Sequence, residues 1–340
     1  MKAQSAVSIA VSGAVALAVS VALAAQSARS EAHVAAAKAA AGTDFAGVFD
    51  RICAEAVPRT PATPRGARAG GPPRPPGPPP REAWHAEPAQ VFDNLYFLGE
   101  TEFSVWALKT SAGVILIDSI FDYSVDDEVV GGMKKLGLDP ATIRYVIVSH
   151  GHSDHSGGAK YIQDTFDAHV ILAAPDWDLL DRSNGSKPKR DMVAVDGQKL
   201  TLGDTTVTMY NTPGHTLGTL SAIFPVTDHG EKHVVATWGG TAFNWMANSE
   251  PYYTAERPER FWFETYSASA RRYKEITARA GADVLISNHT IFDGSKTKLP
   301  ALARRKPGDP NPYVIGKDGV QRYLTVVDEC AQAGLTRNAQ

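Results

Sequence analysis

The chain has 340 residues, with 34 lysines and arginines against 37 aspartates and glutamates for a formal charge of -3, so it lacks the basic excess that a nucleic-acid partner would demand. A composition that is 43% hydrophobic and 21% charged excludes a globally disordered chain. Two cysteines, Cys53 and Cys330, exclude both a four-thiolate zinc site and a dense disulfide framework, which leaves ten histidines and the carboxylates as candidate metal donors.

Lys2 precedes an uncharged Ala/Val-rich run from Ala6 to Ala25, and within it Ala22-Leu23-Ala24 has the small-large-small pattern of a cleavage site. Residues 1–24 therefore read as a secretory signal peptide. The alternative is an uncleaved anchor, although the many Ala and Ser residues make the run weakly hydrophobic for a membrane span. Residues 25–56 form an Ala-rich segment with a short helix expected over Ala32 to Ala41. From 57 to 81 the text is VPRTPATPRGARAGGPPRPPGPPPR. Its prolines favour polyproline II and cannot join a sheet, so it reads as a solvated linker. Arg59, Arg65, Arg68, Arg74 and Arg81 occur there with no acid among them, which suits a soluble basic spacer or, alternatively, contact with an anionic surface.

Residues 82–340 read as the folded body. Short β-rich runs at Val91 to Leu98, Phe103 to Lys109 and Val114 to Ile117 are expected strands, followed by a helix over Val125 to Leu136. The buried strand Tyr145 to Val148 runs into a histidine cluster. A helix over Gly158 to Phe166, a strand over Val170 to Ala173 and a helix from Asp176 come next. Strands are then expected at Lys199 to Leu202, Thr206 to Tyr210, Thr219 to Phe224 and Val234 to Thr237. A long helix over Pro258 to Ala280 leads to the strand Val284 to Ser287, which ends at His289, and a C-terminal helix covers Gln321 to Ala333. Two sheets with helices outside them are implied.

His150-Gly151-His152-Ser153-Asp154-His155 sets four metal-type donors at the mouth of a buried strand. His150 and His152 are two apart, so in an extended loop they face one side and can grip one ion, while Asp154 and His155 turn toward a second. His215 in Thr212-Pro213-Gly214-His215-Thr216 and His289 in Ser287-Asn288-His289-Thr290 supply further donors at element ends. His33, His85, His169, His229 and His233 stand alone and read as structural.

HGHSDH at 150–155, TPGHTLG at 212–218 and SNH at 287–289 together resemble the metallo-β-lactamase fold superfamily over roughly Val91 to Gly294. The resemblance implies an α+β, four-layer αββα sandwich with two zinc ions at one edge. His150, His152 and His215 map onto the first zinc, and Asp154, His155 and His289 onto the second. Asp118 is the expected partner behind the ligands, and Asp154 is the catalytic carboxylate that anchors the second ion and orients the nucleophile. The strand Val234 to Thr241 carries neither the bridging aspartate of glyoxalase II-like thioesterases, lactonases and RNA-processing nucleases nor the cysteine of B1 and B2 lactamases. Its pattern is similar to subclass B3, although the serine-rich stretch that holds a β-lactam carboxylate in B3 enzymes is not plainly reproduced in Gly239-Gly240-Thr241-Ala242-Phe243-Asn244-Trp245.

The resulting expectation is a periplasmic or secreted zinc hydrolase that acts on a small molecule, opening a β-lactam amide with a zinc-bound hydroxide. A lactone, thioester or other ester is the alternative substrate, and a metal-binding scaffold is the non-enzymatic alternative. Trp238, Phe243, Trp245, Tyr252 and Trp262 are candidates for an apolar pocket wall, with Trp245 and Tyr252 the substrate-proximal pair and core packing the alternative for each. Export to an oxidising compartment further predicts that Cys53 and Cys330 bond to each other, with two free buried thiols or pairing between chains as the alternatives.

Overall fold

The computed structural model describes residues 25–56, 77–247 and 252–337. The expected signal peptide, and the linker as far as residue 76, lie outside these described residues. Helix α1 (25–41) and α2 (Ala46–Ala56) come first, followed by strands β1 (Ala89–Phe92), β2 (Leu95–Phe97), β3 (Trp106–Thr110) and β4 (Gly113–Ile117). A π-helical turn (Asp126–Gly131) continues into α3 (Gly132–Lys135) and is followed by β5 (Ile143–Ile147). Next come α4 (Ser153–Ser156), α5 (Ala159–Phe166), β6 (His169–Ala173), α6 (Ala174–Arg182) and β7 (Met192–Ala194). These strands make one seven-stranded sheet in the order β1-β2-β3-β4-β5-β6-β7.

The second half of the chain builds β8 (Lys199–Leu202), β9 (Thr205–Asn211), β10 (Leu220–Asp228) and β11 (Glu231–Trp238). After α7 (Asn244–Ala247) and α8 (Glu259–Ala280) come β12 (Val284–Ser287), α9 (Ser295–Ala303) and α10 (Gly316–Arg337). The second sheet has the order β12-β11-β10-β9-β8.

Side chains on successive strand residues point to opposite faces, and both faces of these strands are apolar. On β4, Ile115 and Ile117 enter the core between the sheets with Met209, Phe224 and Val235. Val114 and Leu116 on the same strand enter an outer core with Val129, Ile162 and Trp177. On the other side, Ala236 and Trp238 of β11 pack with residues of α8 and α10. Three apolar layers thus separate four structural layers, and the fold is the αββα sandwich.

One expected strand is divided. The run from Val91 to Leu98 turns at Asp93-Asn94 into the β1–β2 hairpin, because these two side chains serve a distant turn: Asp93 accepts from the backbone of His229 and Gly230 at 3.1 Å, and Asn94 accepts from Thr227 at 3.1 Å. The N-terminal helix begins earlier than the expected Ala32, and its segment packs onto the body. Ser30 bonds Ala333 at 2.9 Å, His33 pairs with Glu329 at 2.7 Å, and Val48, Phe49 and Ile52 are buried in the α8–α10 core. Cys53 is disulfide-bonded to Cys330 with a Cα–Cα distance of 4.7 Å. Among the described residues no helix is long and apolar enough to cross a membrane.

The bridge spans a sequence separation of 277, and in the chain-entropy picture a loop of that size stabilises by at most about 5 kcal/mol. The Cys53→Ser, Cys330→Ser double variant is therefore expected to unfold at a markedly lower temperature than the oxidised chain. An unchanged midpoint in calorimetry would show that α2 is held by packing alone.

Candidate metal centre

The site forms where strands end together. β4 pairs in parallel with β5, and β11 with β12, with Ile117 opposite Ile147 and Trp238 opposite Ser287. The parallel registers deliver Asp118, the loop 149–152, Gly239 and Asn288-His289 to one edge of the sandwich. The β9–β10 connection brings His215 to the same edge.

The six donors of the two expected triads converge in space. His215 Nε2 lies 3.1 Å from His150 Nε2 and 3.2 Å from His152 Nδ1. His155 Nε2 lies 3.2 Å from both His289 Nε2 and Asp154 Oδ2, and the latter two atoms are 3.6 Å apart. Metal-type donor groupings occur at His150/His152/His215 and at His150/Asp154/His155, so His150 sits where the two triads meet.

A cation fits the first triad on tautomer grounds. A carbonyl oxygen only accepts, so Gly239 O at 2.9 Å from His150 Nδ1 and Ala242 O at 2.7 Å from His215 Nδ1 place the protons on those nitrogens. Both Nε2 atoms are then lone pairs facing one another with no proton between them. Burial, together with neighbouring imidazoles, holds both rings well below the usual histidine pKa, and burial takes His152 down to about 4. Neutral imidazoles with converging lone pairs are the donor set of a transition-metal site. The Asn244 amide reaches the cluster at 3.3 Å from His215 Nε2 and 3.4 Å from His152 Nδ1.

The second triad carries charge. Burial opposes protonation of His155, but Asp154 and Asp118 outweigh it and raise the ring to about 10. Burial would likewise push Asp154 up, yet His155 holds it far below the usual carboxylate range. His155 Nδ1 is 3.0 Å from Asp118 Oδ2, an arrangement in which a carboxylate fixes the ring nitrogen turned away from the donor cluster. Asp118 adopts a left-handed φ of 65°. It is held there by Ser149, whose backbone N–H and hydroxyl donate to Oδ1 at 2.6 Å and Oδ2 at 2.9 Å.

Several residues that hold the site were not anticipated. Buried Asp176 on α6 accepts from Gly151 N at 2.7 Å, Thr216 Oγ1 at 2.8 Å and Gly218 N at 2.8 Å, so one carboxylate fastens the His150–His152 loop to the His215 loop. Asn288 donates to Gly239 O at 2.8 Å and Ser149 Oγ at 3.2 Å. Gly240 lies against the His215 ring, where any side chain would collide. For Asp176 the sequence offers only a lone acid at a helix start, and for Gly239 and Ala242 only backbone.

Of the expected pocket-wall pair, Tyr252 stands at the site, with its hydroxyl 2.7 Å from His152 Nε2. Trp245 does not. It is wholly buried and stacked on Trp262 at 5.8 Å within a cluster that includes Phe243 and Phe263, because α7 turns its ring into the α8 core. Trp238 and Phe243 are also core residues, while Trp262 borders a cleft. His33, His85, His169 and His233 pair with carboxylates, and His229 sits in the β10–β11 turn. None joins the cluster.

Two openings flank His152. One, of about 540 Å3, is bordered by Asp176, Leu217, Tyr252, Arg257 and Trp262. The other, of about 340 Å3, lies over the donors and is bordered by Arg51, Asp154, His215, Asn244, His289 and Ile291.

The model of the metallo-β-lactamase superfamily matches residues 102–228. Among solved structures, the subclass B3 metallo-β-lactamase BJP-1 of Bradyrhizobium japonicum is similar, with a TM-score of 0.61 and 27% identity over 72% of this chain and 91% of that one. Among curated proteins, a hydroxyacylglutathione hydrolase of Rhodospirillum rubrum is 29% identical over 106 residues, 31% of this chain and 38% of its own length. The N-acyl homoserine lactonase AttM of Azorhizobium caulinodans is 24% identical over 193 residues, 52% of this chain and 69% of its own. The match thus spans well under half of the first of these curated relatives.

Replacing Asp176 with Ala leaves two buried amides and a hydroxyl without their acceptor, and is expected to cost about 2–3 kcal/mol and to lower metal affinity about 10- to 100-fold. Burial raises the Asp176 pKa to about 6, against hydrogen bonds from Gly151, Thr216 and Gly218 that favour the anion. A raised folded-state pKa contributes stability at low pH that is lost as pH climbs through about 6. The cost of Asp176→Ala in metal-free protein should therefore be larger at pH 5 than at pH 7.5. Denaturant titrations at the two pH values check it, and an equal cost would contradict the sign.

Proposed function

The chain belongs to the metallo-β-lactamase superfamily, and from that membership we propose that it is an exported hydrolase that holds two zinc ions and opens the amide of a β-lactam in the B3 manner. The observation that carries this reading is the pair of triads whose donor atoms lie 3.1 to 3.2 Å from their nearest neighbours. His150, His152 and His215 would hold one ion, and Asp154, His155 and His289 the other. When bound, such ions supply Lewis acidity toward a carbonyl oxygen and toward water, the chemistry that hydrolyses amides and esters near neutral pH.

The protein's own groups do the positioning. Tyr252, kept a neutral phenol by burial, fixes the His152 ring through Nε2 so that Nδ1 faces the cluster. Asp154 stays ionised, and its Oδ2 can accept a hydrogen bond from an attacking water and orient it. Asp118 holds His155 from behind.

The B3 reading is supported by likeness to BJP-1 across 91% of that chain, and by a β11 end that lends backbone carbonyls where other classes carry an aspartate or cysteine. A lactone or thioester substrate is favoured by the names of the A. caulinodans and R. rubrum relatives. Export is supported by the Cys53–Cys330 bridge, since such bonds persist in oxidising compartments.

Elemental analysis of dialysed protein is expected to give about two zinc ions per chain, and a value that stays at zero with added zinc would overturn the metal assignment. His215→Ala should abolish hydrolysis while circular dichroism stays native, and near-normal turnover by the folded variant would remove His215 from the site. Turnover of a carbapenem, an N-acyl homoserine lactone and S-lactoylglutathione by the zinc form separates the substrate readings.

A further inference from the structure

Helix α2 reaches the donor cleft although it precedes the sandwich in sequence. At Gly47 it passes so close to the loop after His289 that an added methyl would stand 3.5 Å from Ile291 Cγ1 and 3.6 Å from its carbonyl oxygen. One turn on, Arg51 borders the cleft over the donors. At its C-terminal end, Glu55 Oε2 accepts from Phe243 N at 3.2 Å, next to the Ala242 carbonyl that fixes His215. The disulfide at Cys53 and the buried side chains of Val48, Phe49 and Ile52 clamp the helix between these contacts.

Arg51 is oriented within this frame. Its Nε pairs with Glu55 Oε1 at 2.8 Å, while its side chain remains 54% exposed. The contact engages the side nitrogen of the guanidinium, and the two terminal nitrogens are the pair through which a half-exposed guanidinium receives a carboxylate by parallel hydrogen bonds. The other charged groups bordering the cleft have partners of their own. Glu102 pairs with Lys296, and Asp154 is turned to His155 and His289.

We propose that Arg51 is the anion anchor of this cleft, binding a carboxylate carried by the substrate, so that the site selects acyl compounds bearing a carboxylate over neutral ones of the same scaffold. The inference rests on the hydrolase reading and narrows it. It favours β-lactams and other anionic acyl compounds over neutral lactones. It also gives the N-terminal segment a role in recognition, since the anchor is delivered by α2 and steadied through the bridge to α10.

The test compares benzylpenicillin with its methyl ester on the full-length, zinc-loaded wild type and on the Arg51→Ala and Arg51→Lys variants, with circular dichroism to show that each folds. Apparent affinity is read as KM where turnover occurs and as Kd by calorimetry where it does not, so absence of hydrolysis would refute the β-lactamase reading and still leave the anchor measurable. The acid is expected to bind better than the ester in wild type, and Arg51→Ala should reduce that acid-to-ester preference about tenfold or more, with Arg51→Lys restoring part of it and kcat for the acid changing little. A wild type that does not distinguish acid from ester, or a preference unaltered in Arg51→Ala, overturns the proposal.

Discussion

Gly239 and Ala242 lend their carbonyl oxygens to Nδ1 of His150 and His215, and that choice of partner decides which nitrogen of each ring is left as a lone pair. Had either ring turned over, a proton would point into the cluster, and the donor set would lose its common focus. These carbonyls sit just past β11, where Gly239 and Gly240 let the backbone run against Leu220 and the His215 ring without a side chain between them. The glycines matter because the backbone itself is the second partner of these two histidines. Asn288 Nδ2 bonds the same Gly239 carbonyl, so the end of β12 holds the end of β11 at the height the histidines require.

A donor cluster built from separate loops must also resist the mutual repulsion of its lone pairs. Asp176 fastens two of those loops to each other, Ser149 and Asp118 fasten β4 to β5, and Phe103 closes an isolated bridge with His289. The braces made by Asp176, Asp118 and Ser149 are buried, where a hydrogen bond is strong and an unmade one costly. Rigidity is thus obtained from the backbone and second-row side chains before any cation enters. The same economy governs the N-terminal segment: α2 is stapled to α10 by a covalent bond, and it touches Phe243, next to the Ala242 carbonyl that holds His215, and Ile291 in the loop that follows His289.

Much of this was legible in the sequence because the donors in 150–155 are close neighbours there, and because β-rich runs such as Lys199–Leu202 and Val284–Ser287 alternate or bury as strands must. The remainder was hidden for physical reasons. A carbonyl acceptor has no side-chain signature, so the roles of Gly239 and Ala242 could not be read. Asp176 acts on residues 25 and 42 positions away and looks like any acid at a helix start. Trp245 takes the core alternative: flanking glycines suggest an exposed loop, but the ring is drawn into the aromatic cluster of α8. The intervening Pro-rich stretch made residues 25–56 read as a separate segment, and only tertiary packing shows that they complete the α8–α10 core.

The two triads are electrically unequal. The first consists of three neutral imidazoles, two of them backed by peptide carbonyls rather than by carboxylates. The second has Asp154 within the donor set and Asp118 3.0 Å behind His155, so two carboxylates act on it. A dication entering the second triad therefore meets compensating charge, while one entering the first retains more of its own and polarises a neighbouring carbonyl or water more strongly. Because His150 belongs to both donor groupings, the stronger and weaker fields lie within a few ångströms of each other. On the hydrolase reading, a cleft that combines this gradient with the Arg51 guanidinium at its border would suit an acyl compound whose reactive carbonyl and negative charge stand a short distance apart.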